Sequence, residues 1–304
     1  AAHGIPHQKI DAADAYLRDI RAARDRRNRL MTDNINAVTA HHGIIIDYER
    51  DILPLSWAEQ GGTVTERHLL YALSVKIVDM TGKGQELIDF LMMKLNLRLT
   101  DRQKRYLSDV DCELYAYDVL NILKGAFVKR IYADTSADET PPVREAVAFI
   151  KSLGAIPSYC YLGDVIASPT GDKAARAFED EYLDDLFPLL ADIGFDAVAF
   201  MPSRNTPEQL NRVMALCGEY NLVQISGEDI NQPRQSFICE ALKAPQYRHL
   251  IDTTWALIGH ERAATGRIED GMFYGGRQGK DLNAIVDRYM SIGRKGLPES
   301  GEIV

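Results

Sequence analysis

The chain has 304 residues, of which 46% are hydrophobic and 26% are charged, and its formal net charge is −9 at pH 7. This composition allows one large globular domain or two smaller ones. The acidic balance opposes bulk attraction to nucleic acid, and no apolar run approaches the roughly 18 residues of a membrane span. We therefore predict a soluble, cytoplasmic protein with four free cysteines and no membrane partner. The sequence does not specify the oligomeric state.

The first third of the chain is predicted to be helical. Apolar spacing indicates a long amphipathic helix from Ala12 to about His41, ended by Gly43, whose basic run is a solvated face. A second helix is predicted from Glu66 to Val78, with Thr65 or Thr63 as its N-cap. Further helices are predicted at about Glu86 to Leu95, Thr100 to Leu107 and Ala116 to Ala126.

The pattern changes at Pro141, where three successive helix, glycine and strand units begin. The helices start at about Val143, Ala177 and Pro207, and the strands are "AIPSYCY", "AVAFM" and "LVQIS". Short apolar strands separated by helices predict parallel pairing under a helical cover. A later segment, "RHLIDTTWALIG", is predicted to add a strand and a helix. The strand count fits an open α/β sheet, or a barrel whose other strands lie outside this sequence.

Polar residues follow each of these strands. Because the carboxyl ends of parallel strands meet at one edge, we expect the residues that follow the three strands to converge there. They are Tyr161, Gly163 and Asp164 after the first strand, Ser203, Arg204 and Asn205 after the second, and Glu228, Asp229 and Asn231 after the third. Carboxylates bind hard cations, and an arginine grips a phosphate with two hydrogen bonds. In the alternative interpretation, Glu228 and Asp229 cap the following turn and Arg204 pairs with one of them.

The order of four segments resembles the later part of the PHP (polymerase and histidinol phosphatase) family, in its metal-dependent phosphoesterase branch. The segments are "RRNRLMTDNINAVTAHHGIII", "TVTERHLLYAL", "PPVREAVAFIKSLGAIPSYCYLGD" and "LLADIGFDAVAFMPSRNTPEQLNRVMALCGEYNLVQISGEDIN". The resemblance covers residues 10 to 240. It implies part of a distorted (β/α)7 barrel, with residues 1–10 at its edge, a helical insertion at 11–139 and the C-terminal part of the barrel at 140–304.

The resemblance also implies a metal site. His68 and Asp229 match family ligands, and Glu228 is an added ligand or a proton acceptor. Tyr161 and Asn231 stand where the family has histidines, which removes two imidazole ligands, so we expect them to contact substrate instead. An isolated histidine near a helix start is more often a packed or capping residue, which is the alternative for His68. The family's H-x-H strand would lie upstream of this sequence.

The expected function is therefore metal-dependent hydrolysis of a phosphate ester, with Asp229, Glu228 and Arg204 as catalytic residues. The cofactor is a divalent ion, Mn, Zn, Fe or Mg, and the substrate is a small phosphorylated molecule (a nucleotide or sugar phosphate) or a short oligonucleotide. One alternative is a metal-poor, non-catalytic homologue that binds a ligand or a partner. Another is an unrelated lyase or isomerase that uses Glu228 and Asp229 as acid and base.

Overall fold

A computed structural model describes residues 1–164, 179–230, 232–277 and 279–295 of the chain. Its helices are α1 (Ile10–Thr39), α2 (Glu66–Thr81), α3 (Gln85–Asp89), α4 (Asp101–Ser108), α5 (Tyr115–Ala126), α6 (Val128–Ile131), α7 (Val143–Ser152), α8 (Leu183–Ile193), α9 (Pro207–Glu219), α10 (Arg248–Gly266) and α11 (Leu282–Gly293). Its strands are β1 (Ala2–His3), β2 (Ile156–Cys160), β3 (Ala197–Phe200) and β4 (Val223–Ser226).

The helical first third agrees with the sequence prediction. Helix α1 continues into a short 3-10 turn that ends at Gly43, whose φ of 82° is the left-handed conformation that glycine adopts without a steric penalty. Thr65 caps α2, and Gly82 follows its last residue. The helices α1 to α6 enclose one apolar core, which includes Met31, Leu73 and Leu123.

The predicted parallel strands are also confirmed. The sheet order is β1-β2-β3-β4, with β2, β3 and β4 parallel and the two-residue β1 antiparallel to β2. Helices α7, α8 and α9 cover one face and contribute Val147, Phe187 and Val213 to its core. Helices α10 and α11 cover the other face and contribute Ala256 and Tyr289. The second unit's predicted start at Ala177 lies outside the described residues.

The expected (β/α)7 barrel is wrong. Helices make up 64% of the structure and strands 5%, and the sheet is a small open one with four strands. The segment "RHLIDTTWALIG" forms no strand, because its buried residues Leu250, Thr253 and Ala256 recur at helical spacing. The resulting helix α10, together with α11, covers the face of the sheet that a barrel would turn towards its interior.

Helices α10 and α11 pack closely at two glycines. A Cβ atom at Gly259 would lie 1.8 Å from the carbonyl oxygen of Tyr289, and one at Gly293 would lie 2.0 Å from that of Trp255. Both contacts are far shorter than any van der Waals distance, so the backbones can approach only because neither position carries a side chain. In the described part of the chain no helix is long and apolar enough to cross a membrane.

The amino ends of β3 and β4 are held by one partly buried guanidinium. Arg277 donates to the carbonyl oxygens of Phe195 at 3.2 Å and Tyr220 at 2.8 Å and also to that of Asn221, and its Nε lies 3.3 Å from a carboxylate oxygen of Asp196. The planar fork of arginine suits this set of acceptors better than the single ammonium of lysine. This contact fixes the two strands relative to each other and so fixes where their carboxyl ends emerge.

The helical first third also contacts the region that carries the sheet. Tyr16 on α1 stacks on Phe149 of α7, with ring centroids 3.9 Å apart. On the other side, Arg234, in the segment that follows β4, binds both carboxylate oxygens of Asp118 on α5, at 2.7 and 2.8 Å. The segment after β4 is therefore held between the sheet and the helices.

Candidate functional site

The carboxyl ends of β3 and β4 are joined through one carboxylate. The hydroxyl of Ser203, which follows β3, donates to Glu228, which follows β4. The thiol of Cys239 lies beside the same carboxylate, and burial, followed by this neighbour, raises the pKa of the thiol to about 11. Cys239 therefore stays protonated at neutral pH and is no nucleophile. Three chain segments thus meet at Glu228.

Two charged side chains at this edge are uncompensated. Arg204 is next to Ser203 and half-buried, and Asp229 is next to Glu228 and exposed. Within the described residues neither side chain has a hydrogen bond or an ion pair, so Arg204 does not pair with Glu228 or Asp229 as the alternative interpretation expected. A guanidinium and a carboxylate that remain available at the same sheet edge can both contact a ligand.

The segment that follows Asp229 is anchored at several points. The side-chain amide of Gln235 donates to the carbonyl oxygen of Asp229 at 2.9 Å, and the amide of Asn121 on α5 donates to Gln232 at 2.5 Å. The guanidinium of Arg234, besides binding Asp118, lies 4.5 Å from the ring centroid of Tyr106. These contacts hold residues 232–235 next to the two acids.

Tyr161 is buried beneath the edge. Its hydroxyl donates to Asp180, and burial, followed by this carboxylate, raises the pKa of the phenol well above its ordinary value. The phenol therefore stays protonated and engaged inside the protein. Contact between Tyr161 and a substrate stays a prediction, and Asn231, the other predicted substrate contact, lies outside the described residues.

A network of acids that the sequence prediction missed surrounds Tyr161. Glu179 is 1% exposed and accepts hydrogen bonds from the N–H groups of Leu162 and Gly163, both at 3.0 Å. Asp180 accepts from the side chain of Gln209 at 2.6 Å. These carboxylates are satisfied by donors, so they hold the end of β2 to α9. The acidic run "EDEYLDD" was the only sequence signal for them.

His68 is the third residue of α2 and takes part in its N-terminal cap. Its Nδ1 accepts the backbone N–H of Thr65 at 2.9 Å, which in the neutral ring places the proton on Nε2. Burial lowers the pKa of this imidazole, which favours the neutral ring. Neither nitrogen then has a free lone pair for a metal ion, so ligation by His68 would require the cap hydrogen bond to break.

His68 reaches the sheet edge only indirectly. Helix α2 packs against α5, and α5 carries Asp118 and Asn121, which bind the segment after β4. In the described ranges no direct contact joins His68 to Arg204 or Asp229. The structure therefore links the ends of β3 and β4 through Ser203 and Glu228, and the convergence of Arg204, Asp229 and His68 on one ion or anion stays a prediction.

The described residues do not by themselves hold a metal cluster. Among residues 1–164, 179–230, 232–277 and 279–295, no three side chains of His, Cys, Asp or Glu are placed to share an ion. Of the two adjacent acids that follow β4, Glu228 is engaged by Ser203 and Asp229 is exposed, with no side-chain partner among the described residues. One such carboxylate fits the way in which magnesium or manganese is bound jointly by a protein and a phosphate.

The arginines of the basic run on α1 are mostly engaged in ion pairs. Arg24 and Arg27 both bind the buried carboxylate of Glu139, at 3.0 and 2.7 Å, and these partners lower the pKa of Glu139. Arg29 pairs with Asp25 at 2.8 Å and also with Glu49. The run is thus largely neutralised by ion pairs within the helical first third.

Comparison with known proteins gives no match of this chain to a family, to a curated protein or to a solved structure.

Proposed function

We propose that the edge formed by the ends of β3 and β4 binds a phosphate ester and hydrolyses it. The observation that carries this proposal is the half-buried guanidinium of Arg204, which has no counter-ion in the described part of the chain and lies next to the segment that carries Glu228 and Asp229. Open α/β sheets bind ligands outside the carboxyl ends of their strands, which is where these groups lie.

Arg204, Glu228 and Asp229 each have a different role in the proposed hydrolysis. Arg204 contacts the phosphate oxygens and compensates their charge, for which its planar fork is suited. Glu228, whose position is fixed by Ser203, accepts a proton from the attacking water. Asp229 faces solvent and binds the divalent ion that the phosphate carries.

A divalent ion, Mg or Mn, is part of this proposal. When bound, it withdraws charge from the phosphate oxygens. Because the described carboxylates provide one free ligand, we expect the ion to bind weakly without substrate and more tightly with it. The substrate is a small phosphorylated molecule or a short oligonucleotide.

The test is hydrolysis of p-nitrophenyl phosphate and bis-p-nitrophenyl phosphate by the full chain with added Mn²⁺ or Mg²⁺. Replacing Asp229→Ala should lower kcat/KM by about 100-fold or more, as expected for the loss of the carboxylate that holds the divalent ion beside the phosphate. Replacing Arg204→Ala should raise KM more than it lowers kcat, because Arg204 binds the phosphate already in the ground state.

The matched control is Asp287→Ala, which removes an exposed carboxylate from α11 on the other side of the sheet. This variant should keep full activity. Circular dichroism should show that all three variants are folded. Turnover that is unchanged in Asp229→Ala, or that persists in excess chelator, contradicts the proposal.

A second candidate is a metal-poor module that binds a phosphorylated ligand without hydrolysing it. It is favoured by the buried, fully engaged hydroxyl of Tyr161 at a position where the resemblance places a metal-binding histidine. Calorimetry separates the two candidates. Phosphate binding that requires Arg204, without turnover in any divalent metal, supports the binding module.

A further inference from the structure

An exposed phenylalanine lies beside the proposed site. The side chain of Phe237 is 79% exposed, and its apolar neighbours Ile238 and Ile230 are 53% and 36% exposed. Burying an aromatic side chain of this kind is normally favourable, so a folded segment that leaves one in water presents an apolar surface to a ligand or partner.

The position of Phe237 is set by contacts on both sides. Two residues earlier, Gln235 binds the carbonyl oxygen of Asp229 at 2.9 Å, and two residues later, Cys239 lies beside the carboxylate of Glu228. Two residues of extended chain span at most about 7 Å. The backbone of Phe237 is therefore tethered to the main chain of Asp229 through Gln235 and to the carboxylate of Glu228 through Cys239. Glu228 in turn accepts a hydrogen bond from Ser203, the sequence neighbour of Arg204.

The exposure of this ring does not come from a loosely held segment. Arg234 donates from Nε and Nη2 to the two carboxylate oxygens of Asp118, whose side chain is almost fully buried, and it lies over the ring of Tyr106. Ion pairs with one buried partner and two parallel hydrogen bonds are the geometrically specific kind. The segment is thus fixed on the helices at one end and on Glu228 at the other, and Phe237 projects from between them.

We propose that Phe237 stacks on a flat aromatic group of the substrate, so that the site selects aromatic phosphate esters over phosphorylated polyols. The inference rests on the proposed function, since Arg204 holds the phosphate while Phe237 contacts the organic part. Ile230 and Ile238 add apolar surface beside the ring. An aromatic face accepts any flat π-system, so this contact selects a class of ligand rather than one molecule.

The experiment compares two probes that share phosphate and sugar and differ in one aromatic base, adenosine 5′-monophosphate and ribose 5-phosphate. Affinities are measured by calorimetry on the full chain, with and without Mn²⁺. The protein should bind the adenosine compound about fivefold or more tightly, which is the lower range for stacking on an aromatic side chain. Phe237→Ala should remove this preference without changing the affinity for ribose 5-phosphate.

Three further variants make the result specific. Phe237→Tyr should keep the preference, and Phe237→Leu, which is apolar but lacks a ring, should lose most of it. Tyr274→Ala removes an exposed aromatic ring from the loop before Arg277, near the opposite edge of the sheet, and should change neither affinity. A preference retained by Phe237→Ala or by Phe237→Leu overturns the inference, and so does equal binding of the two probes by the unaltered chain.

Failure of the proposed function gives a different result. If the chain binds the adenosine compound through Phe237 but hydrolyses no ester with any divalent metal, the result supports this inference and contradicts the proposed hydrolase activity. If the chain hydrolyses both probes equally well and binds them with equal affinity, the result supports the hydrolase activity and contradicts this inference.

Discussion

His260 is a buried imidazole with an incomplete set of hydrogen bonds. It is 1% exposed, its Nδ1 accepts the backbone N–H of Met272 at 2.9 Å, and its Nε2 has no hydrogen-bond partner in the described structure. A Cβ atom at Gly4 would lie 2.4 Å from the ring, so the N-terminal segment packs directly on it. Burial lowers the pKa of His260 to about 4, although the carbonyl groups of Gly4 and Gly154 partly oppose this shift.

This imidazole predicts a loss of stability on mild acidification. The unfolded chain binds a proton at His260 near pH 6.5, whereas the folded chain binds it only near pH 4. The folded state is therefore most stable above pH 6.5, where His260 is neutral in both states, and it loses stability as the pH falls towards 4. Between pH 7 and pH 5, His260 should contribute a decrease of about 1–2 kcal/mol in the free energy of unfolding. Urea unfolding at the two pH values measures the decrease.

The control for this prediction is His260→Gln, whose amide oxygen still accepts the N–H of Met272 but does not titrate. We expect a less stable protein with a smaller change between pH 7 and pH 5. An unchanged pH dependence in this variant would assign the effect to other groups, such as His3 or His249, whose pKa values burial also lowers.

Single residues at the site could be predicted only in part. The placement of Ser203, Arg204 and Glu228 at one edge follows from three apolar strands that each end in polar residues, and the structure brings the ends of β3 and β4 together. Phe237 could not be predicted, because its exposure depends on an ion pair between residues 116 positions apart in sequence. The tautomer of His68 depends likewise on the cap geometry, which a sequence does not specify.

At the scale of elements, α10 and α11 depend on the absence of side chains at their crossing. Gly259→Ala should destabilise the protein by about 1–3 kcal/mol, since the added methyl group would meet the carbonyl oxygen of Tyr289 and the helices would have to separate. Chemical denaturation of the purified variant measures this change.

Gly266→Ala is the matched control on the same helix. Nothing lies within 4 Å of a Cβ atom at Gly266, so the gain in helix propensity should leave stability equal or raise it by up to about 1 kcal/mol. Equal effects of the two substitutions would mean that α10 and α11 do not pack as closely as described.

The elements themselves were predictable where the hydrophobic period is unambiguous. Helices α1 and α2 show clear helical spacing with recognisable ends, and β2, β3 and β4 are short apolar runs after a helix and a turn. Helix α10 was predicted incorrectly in part because "RHLIDTTWALIG" contains β-branched and apolar residues that also suit a strand. Only its burial at every third or fourth position decides between the two.

At the scale of the whole molecule, the chain contains separate cores. The core of α1 to α6 uses residues 31 to 133, and the two cores on the faces of the sheet use residues from 147 onwards. The incorrect barrel prediction came from the resemblance to the PHP family, whereas the strand count also allowed the open sheet that the structure has. Strands that would complete a barrel are absent from the described residues. Whether a sheet closes into a barrel depends on pairing between distant strands, which the local strand pattern does not predict.

The separate cores predict that residues 11–139 fold without the rest of the chain. This fragment keeps the apolar core of α1 to α6 and the ion pairs of Glu139, and it loses the stacking of Tyr16 on Phe149. We expect a helical circular dichroism spectrum and a cooperative thermal transition. Leu73→Asp, which buries a charge in this core, should abolish both, and a fragment that is unfolded before this change would contradict the prediction.

The spatial order of the strands also bears on how the chain reaches this structure. Strands β2, β3 and β4 are neighbours both in the sheet and along the sequence, so each can join the growing sheet across a connection far shorter than the one between β1 and β2, at a lower cost in chain entropy. Only β1 must find a partner more than 150 residues away. If the helices between β1 and β2 form first, they hold the ends of that long connection near each other, and the most distant pairing in the sheet becomes nearly as accessible as the local ones.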